Sequence, residues 1–81
     1  MNKPAITYPL YRKYSNNKSF FKINSPTQFE EIQILGAKKV FHSFTAKILP
    51  DRNFIHDLIF DYEKHWVLCN QQEYEDLKND V

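Results

Sequence analysis

Hydrophobic and polar residues alternate in two short runs on either side of Asn16-Asn17, within residues 10–23. Side chains point alternately to the two faces of a strand, and Asn adopts positive φ more readily than most residues. The pattern therefore predicts a β-hairpin closed by a two-residue type I′ turn, with Arg12 opposite Phe21. One face of the hairpin then carries Leu10, Arg12, Tyr14, Ser19, Phe21 and Ile23, and the other carries Tyr11, Lys13, Phe20 and Lys22.

A second hairpin is predicted over residues 28–49. Residues 28–35 and 39–49 both alternate, and the segment between them, residues 36–38, contains the only glycine of the chain. Gly36 supplies the positive φ that a tight turn needs. A three-residue loop sets Ile34 opposite Val40 and Ile32 opposite His42, which keeps the apolar positions in register.

Residues 53–64, which follow Pro50, have the periodicity of an amphipathic helix, with Asp51 or Asn53 as the predicted N-cap. Phe60 falls on the side opposite the apolar stripe, so we expect it to be exposed or to contact a partner. The stripe itself consists of Phe54, Ile55, Leu58, Ile59 and Tyr62.

The apolar run of residues 66–69 predicts a last strand, and Asn70 opens a final helix. Asn70 with Glu73 three positions later is the pattern of an N-cap with an acidic N3 residue, and Cys69 and Tyr74 occupy the positions of a hydrophobic staple. The residues of this helix predicted to face the core are Tyr74, Leu77 and Val81.

These elements predict a single domain of the α+β class, since 81 residues are enough for one core and not for two. Residues 1–9 form an extended N-terminal arm, residues 10–49 form antiparallel hairpins, and residues 50–81 form a helix-strand-helix unit. The simplest packing is a small antiparallel sheet of four to five strands, built from two consecutive hairpins, with both C-terminal helices packed on one face.

That packing leaves the other face of the sheet uncovered, and we call it the basic aromatic face. It carries Tyr11, Phe20, Phe29 and Phe41, interleaved with Lys13, Lys22 and Lys47. Contiguous exposed apolar patches usually mark contact sites. Three arrangements explain the face: the sheet curls so that both faces are internal, the face pairs with another copy, or it binds a ligand.

The net charge of +1 hides a split along the chain. Residues 1–50 hold eight basic and two acidic side chains, a net charge of +6, whereas residues 51–81 hold three basic and eight acidic side chains, a net charge of −5. Either the sheet meets a polyanion or an acidic partner, or the two halves attract each other within one fold or between subunits. Lysines on strands also protect sheet edges from aggregation.

Composition excludes several classes of protein. A single glycine disfavours the glycine-rich phosphate cradles of P-loops and dinucleotide-binding turns. A single cysteine, Cys69, excludes an internal disulfide and a four-thiolate zinc site, and it fits a reducing compartment. Because we see no apolar run typical of a secretory signal and no stretch near the ~20 apolar residues of a membrane span, we expect a cytoplasmic protein.

Asp57, Asp61 and His65 recur every four residues and share one face of a helix only if the helix continues to His65. Carboxylates and an imidazole in that arrangement bind metals or exchange protons. The helix is predicted to end near Lys64 and no fourth ligand is evident, so a metal site is the less favoured alternative. With no nucleophile or phosphate-binding motif elsewhere, we expect neither enzyme activity nor a cofactor.

The leading hypothesis is a non-enzymatic domain that associates with itself, most simply as a dimer, or with another protein. Its candidate contact residues are Tyr11, Lys13, Phe20, Lys22, Phe41, Lys47 and Phe60. The alternative is single-stranded nucleic-acid binding through the basic aromatic face, because bases stack on aromatic rings and lysines neutralise phosphates. The chain lacks the aromatic-glycine strand signature of the common RNA-recognition module, which makes this hypothesis second.

Overall fold

A computed structural model describes residues 7–79 and shows a five-stranded antiparallel sheet with one helix on each face. The strands are β1 (Leu10–Lys13), β2 (Ser19–Ser25), β3 (Gln28–Leu35), β4 (Lys38–Thr45) and β5 (Val67–Leu68). The helices are α1 (Leu49–Phe60) and α2 (Gln71–Asn79), and a short 3-10 helix spans Tyr62–Lys64. Across the sheet the strand order is β4-β3-β2-β1-β5, which confirms the α+β class.

The first hairpin has the predicted strand register but not the predicted turn. Arg12 lies opposite Phe21, as expected. Tyr14 donates its N–H to the carbonyl of Ser19 at 3.0 Å, so the loop covers residues 15–18 instead of two residues. Positive φ occurs at Asn17 and not at Asn16, whereas a type I′ turn needs it at both central positions. The type I′ prediction is therefore wrong.

The second hairpin differs from the prediction by one residue of register. Its loop is Gly36-Ala37, which sets Leu35 opposite Lys38 and Ile32 opposite Phe41. Gly36 supplies the positive φ, at 62°. Because a one-residue slip moves every side chain to the other face, His42 shares a face with Glu31 instead of Ile32. The strand also ends earlier than predicted, at Thr45.

Helix α1 begins at Leu49, before the predicted start. Pro50 lies in its first turn, where the missing N–H has no helical partner to lose. Ile48 occupies the N-cap without a side-chain hydrogen bond, so the prediction of Asp51 or Asn53 as the cap is wrong. The predicted stripe is confirmed at Ile55, Leu58 and Ile59, which are buried.

The two helices lie on opposite faces of the sheet, so the prediction that both pack on one face is wrong. The α1 face is the side of the sheet built on Phe21, Ile23, Phe29, Ala46, Ile55, Leu58, Ile59 and Trp66. The α2 face is the side built on Tyr11, Phe20, Ile32, Cys69 and Tyr74. Helix α2 starts where predicted, with the Asn70 Oδ1 accepting the N–H of Glu73 at 2.7 Å. Helix α2 therefore buries aromatic rings that would be exposed to water if both helices packed on the other face.

Val81 and most of the N-terminal arm lie outside the described residues, and residues 7–9 are not in a strand.

Arg12 is the one charged residue on the apolar side of the first hairpin, and it is only 7% exposed. Its Nε donates to the carbonyl of Leu58 at 3.0 Å and its Nη2 to that of Ile59 at 3.4 Å. The guanidinium also lies 4.0 Å from the centre of the Tyr62 ring. Helix α1 has no basic residue in its own last turn, so β1 supplies the cation that favours its carboxyl end. Burial lowers the pKa of Arg12, but a guanidinium stays charged at physiological pH.

We expect Arg12→Met to lower the free energy of unfolding by about 2–3 kcal/mol, because two buried carbonyls lose a charged donor. Arg12→Lys should recover only part of the loss, since one ammonium lacks the fork that spans both carbonyls. Urea denaturation followed by circular dichroism measures both. Arg52→Met, at an exposed position of the same helix, is the control. Equal stability of Arg12→Met and the wild type would contradict the capping role.

Candidate functional site

Helix α2 covers the basic aromatic face, which corrects the expectation that this face is exposed. Tyr11 and Phe20 are 9% and 4% exposed, and the Tyr74 ring lies 5.6 Å from that of Tyr11. Phe29 is on the α1 face, because a bulge between Ile23 and Ser25 sets Phe29 directly opposite Ile23. Nucleic-acid stacking on Tyr11 and Phe20 therefore has no surface in this structure. Phe41 remains on the α2 face, at its margin, and is 37% exposed.

The lysines of the basic aromatic face are divided between α2 and the solvent. Lys13 pairs with Glu73 at 2.9 Å, and Lys22 pairs with Glu75 at 3.4 Å. Lys47 follows the end of β4 and is exposed. Of the explanations left open for the charge split, the structure shows attraction of the two halves within one fold.

Glu30 is the polar centre of the contact between the sheet and α2. Its carboxylate accepts hydrogen bonds from the Tyr74 hydroxyl at 3.0 Å and from Lys78 at 3.1 Å. Burial opposes ionisation of Glu30, but the hydrogen bonds from Lys78 and Tyr74 outweigh it and hold the pKa of Glu30 below its ordinary value. The hydrogen bond from Lys13 likewise lowers the pKa of Glu73.

Cys69 shows no sign of being a nucleophile. Burial, with help from Glu73, raises the pKa of the thiol to about 12, so it stays protonated at neutral pH. It acts as a small apolar residue in the α2-face core.

The proposed alignment of Asp57, Asp61 and His65 is not formed. Helix α1 ends at Phe60, and the His65 ring lies edge-on to Trp66 with the centroids 5.5 Å apart. His56 takes its place, since the ligand atoms of His56, Asp57 and Asp61 lie within 4.8 Å of one another. His56 and Asp57 side chains are more than half exposed, and solvated acids of this kind are common on helix surfaces.

Phe60 is 58% exposed, as predicted, and its ring lies 4.8 Å from that of His56. Among the described residues, the other partly exposed phenylalanine rings are Phe41 and Phe44 of β4 and Phe54 of α1.

The outer edge of β4 is the most extensive uncovered feature of the sheet. Strand β4 is eight residues long, and no other strand within residues 7–79 pairs with its outer side. In a two-residue hairpin the closing pair, Leu35 and Lys38, is hydrogen-bonded, and the bonded pairs then alternate along the strand. The N–H of Ala46, which donates to Thr27 at 2.7 Å, continues that alternation. The backbone N–H and C=O groups of Phe41, Ser43 and Thr45 therefore point outward.

A cavity of about 260 Å³ lies beside β4 on the α1 face. Aromatic rings form much of its wall: Phe44 stacks on Phe29 with 4.7 Å between centroids, and Phe54 lies 5.4 Å from Phe29. Two carboxyl side chains, Glu31 and Asp51, also line it. Thr45 and Ala46 complete the lining.

Comparison with protein-family models, with curated proteins and with solved structures gives no match. Among the described residues, neither helix has the length and apolar character needed to cross a bilayer.

Sequence reasoning named Phe41 but missed Ser43, Phe44 and the cavity. The signal available was the position of β4 as the last strand of two consecutive hairpins, which makes it an edge unless a later strand joins it. The predicted last strand does form, but it joins β1 at the other edge.

We expect the free energy of unfolding to fall as the pH is lowered from about 5 to about 3. Glu30 and Glu73 have lowered pKa values in the fold, so the unfolded chain takes up their protons at a higher pH. Glu30→Gln should lower the free energy of unfolding by about 1 kcal/mol at pH 7, and by less as the pH approaches 3. Urea titrations across this range measure it.

Glu63→Gln, at an exposed position of the 3-10 helix, is the control for the removal of one carboxylate. A Glu30→Gln variant whose stability parallels the wild type at every pH would contradict the role of Glu30.

Proposed function

We propose that this domain works by self-association through the outer edge of β4, forming a dimer in which two sheets continue as one. The observation that carries the proposal is the combination of outward backbone groups with two partly exposed rings. Phe41 is 37% exposed on the α2 face, and Phe44 is 39% exposed on the α1 face. A long edge strand with exposed apolar side chains is a ready template for another strand.

The opposite edge of the sheet offers much less. Strand β5 has only two residues, Val67 and Leu68, and short edge strands are one means by which proteins prevent strand addition. The pairing surface is therefore β4 and not β5.

A second copy fits β4 because the strand can pair with itself in antiparallel orientation. A two-fold axis normal to the sheet makes the two β4 strands antiparallel and keeps both α1 faces on the same side. Registers centred on Phe41 or on His42 each pair seven residues of the eight-residue strand, and neither sets a lysine opposite a lysine. The register centred on Ser43 is disfavoured, since it opposes Lys39 and Lys47.

The contact surface of one strand on each copy is small, so the dimer belongs to the weak class of interfaces. We expect a dissociation constant of about 1–100 µM.

Light scattering behind size exclusion, over a series of loading concentrations, tests the proposal with two variants at one position. Ser43→Pro removes an outward N–H and places a ring where the second strand must lie, while the ladder to β3 is kept. Ser43→Ala keeps the N–H and is the matched control. We expect the wild type and Ser43→Ala to dimerise and Ser43→Pro to remain monomeric, with circular dichroism checking that each is folded.

A wild type that stays monomeric at about 1 mM, far above the expected dissociation constant, would overturn the proposal, as would a Ser43→Pro variant that dimerises normally. If Ser43→Pro does not fold, amide hydrogen exchange of the wild type decides. The outward amides of Phe41 and Ser43, which both registers pair, should gain protection with concentration, while the inward amides of Val40 and Phe44 should not change.

A further inference from the structure

The cavity beside β4 has the chemistry of a site for an organic cation. Phe29, Phe44 and Phe54 present aromatic surface, to which cations are attracted through the ring quadrupole. Glu31 and Asp51 add two carboxyl side chains to the same lining. An alkylammonium group satisfies both features at once, because its carbon chain packs on rings while its charge meets carboxylate oxygens.

Among the residues that the structure describes, neither carboxylate is paired with a cationic side chain. Within residues 7–79, no lysine or arginine nitrogen lies within ion-pair distance of Glu31 or Asp51. The hydrogen bond to Asp51 comes from the backbone, where the N–H of Lys47 lies 3.5 Å from Oδ2. The site has room for a cation from outside the described chain.

The self-association proposed above brings such a cation to the cavity. Lys38 is the first residue of β4, is exposed, and shares the α1 face with Phe44 by strand alternation. With the two-fold axis at Phe41, Lys38 of the second copy lies opposite Phe44. With the axis at His42, it lies opposite Ala46. Both Phe44 and Ala46 line the cavity, so the two longest registers lead to the same contact.

We infer that the cavity lined by Phe44, Glu31 and Asp51 is the receptor site for the ammonium of Lys38 from a second copy of this chain. This inference rests on the proposed dimerisation through β4. The two-fold axis makes two such contacts, one at each end of the paired strands. Both ends of the interface then have opposite charges in contact, which favours these two registers over the others.

Charge reversal tests the inference, with dissociation constants measured by sedimentation equilibrium. Lys38→Glu should weaken the dimer about tenfold or more, because it sets a carboxylate against Glu31 and Asp51. Asp51→Lys should weaken it similarly. The double variant should recover to within about threefold of the wild type, since each site again has opposite charges. Lys64→Glu, an exposed reversal in the 3-10 helix, is the control for net charge.

Equal dissociation constants for Lys38→Glu and Lys64→Glu would overturn the inference and leave the β4 dimer standing, as would losses that simply add in the double variant. A monomeric wild type would overturn both proposals. If Asp51→Lys does not fold, Lys38→Met against Lys64→Met decides, because only the loss at Lys38 should weaken the dimer.

Discussion

Strand β2 imposes the constraint on which the rest of the structure depends, because both of its faces are apolar. Phe20 points to one side of the sheet, and Phe21 and Ile23 point to the other, and all three are buried. Leaving one of these side chains in water costs about 1.5–3 kcal/mol, so a sheet with one solvated face is not an option. The chain supplies a separate helix for each face, and β4 is left at the margin of both, with its rings only partly covered.

The two helices are held by different physical means. Helix α1 buries three aliphatic side chains and receives a buried guanidinium, Arg12, at its carboxyl end. Helix α2 is fully buried only at Tyr74, and its ion pairs with Lys13 and Lys22 are partly solvated. Ion pairs of that kind contribute little energy. The opposite charges of the two halves of the chain therefore orient α2 over the sheet more than they add to the free energy of unfolding.

Local sequence patterns correctly predicted features that depend only on residues close together in the chain. The strand register of the first hairpin, the Asn70 cap of α2 and the buried residues of the α1 stripe all follow from short-range spacing, and the structure has them. The face of Phe29 was predicted wrongly, because it depends on a bulge at Ile23 and Ser25 that leaves no trace in a two-residue period. The register of β4 was predicted wrongly for a related reason. The residues after Leu35 are compatible with a loop of two residues, 36–37, or of three, 36–38, so the sequence does not decide between the two registers.

No local sequence pattern predicts the face of the sheet on which α2 packs. The candidate site depends on that face. With α2 over β1, β2 and β3, the aromatic rings of those strands are buried, and β4 is the only described strand with exposed rings. The charged residues of β4, Lys38 and Lys39, stand at its first two positions, and residues 40–45 have no formally charged side chain. These lysines repel an added strand that places a positive charge beside the start of β4. They attract an added strand that places carboxylates there. A reversed copy of this chain is such a strand, because Glu31 and Asp51 line the cavity that Phe44 and Thr45, near the opposite end of β4, also line. In the proposed dimer, the charges that oppose other strands at this edge would thus favour a second copy of β4.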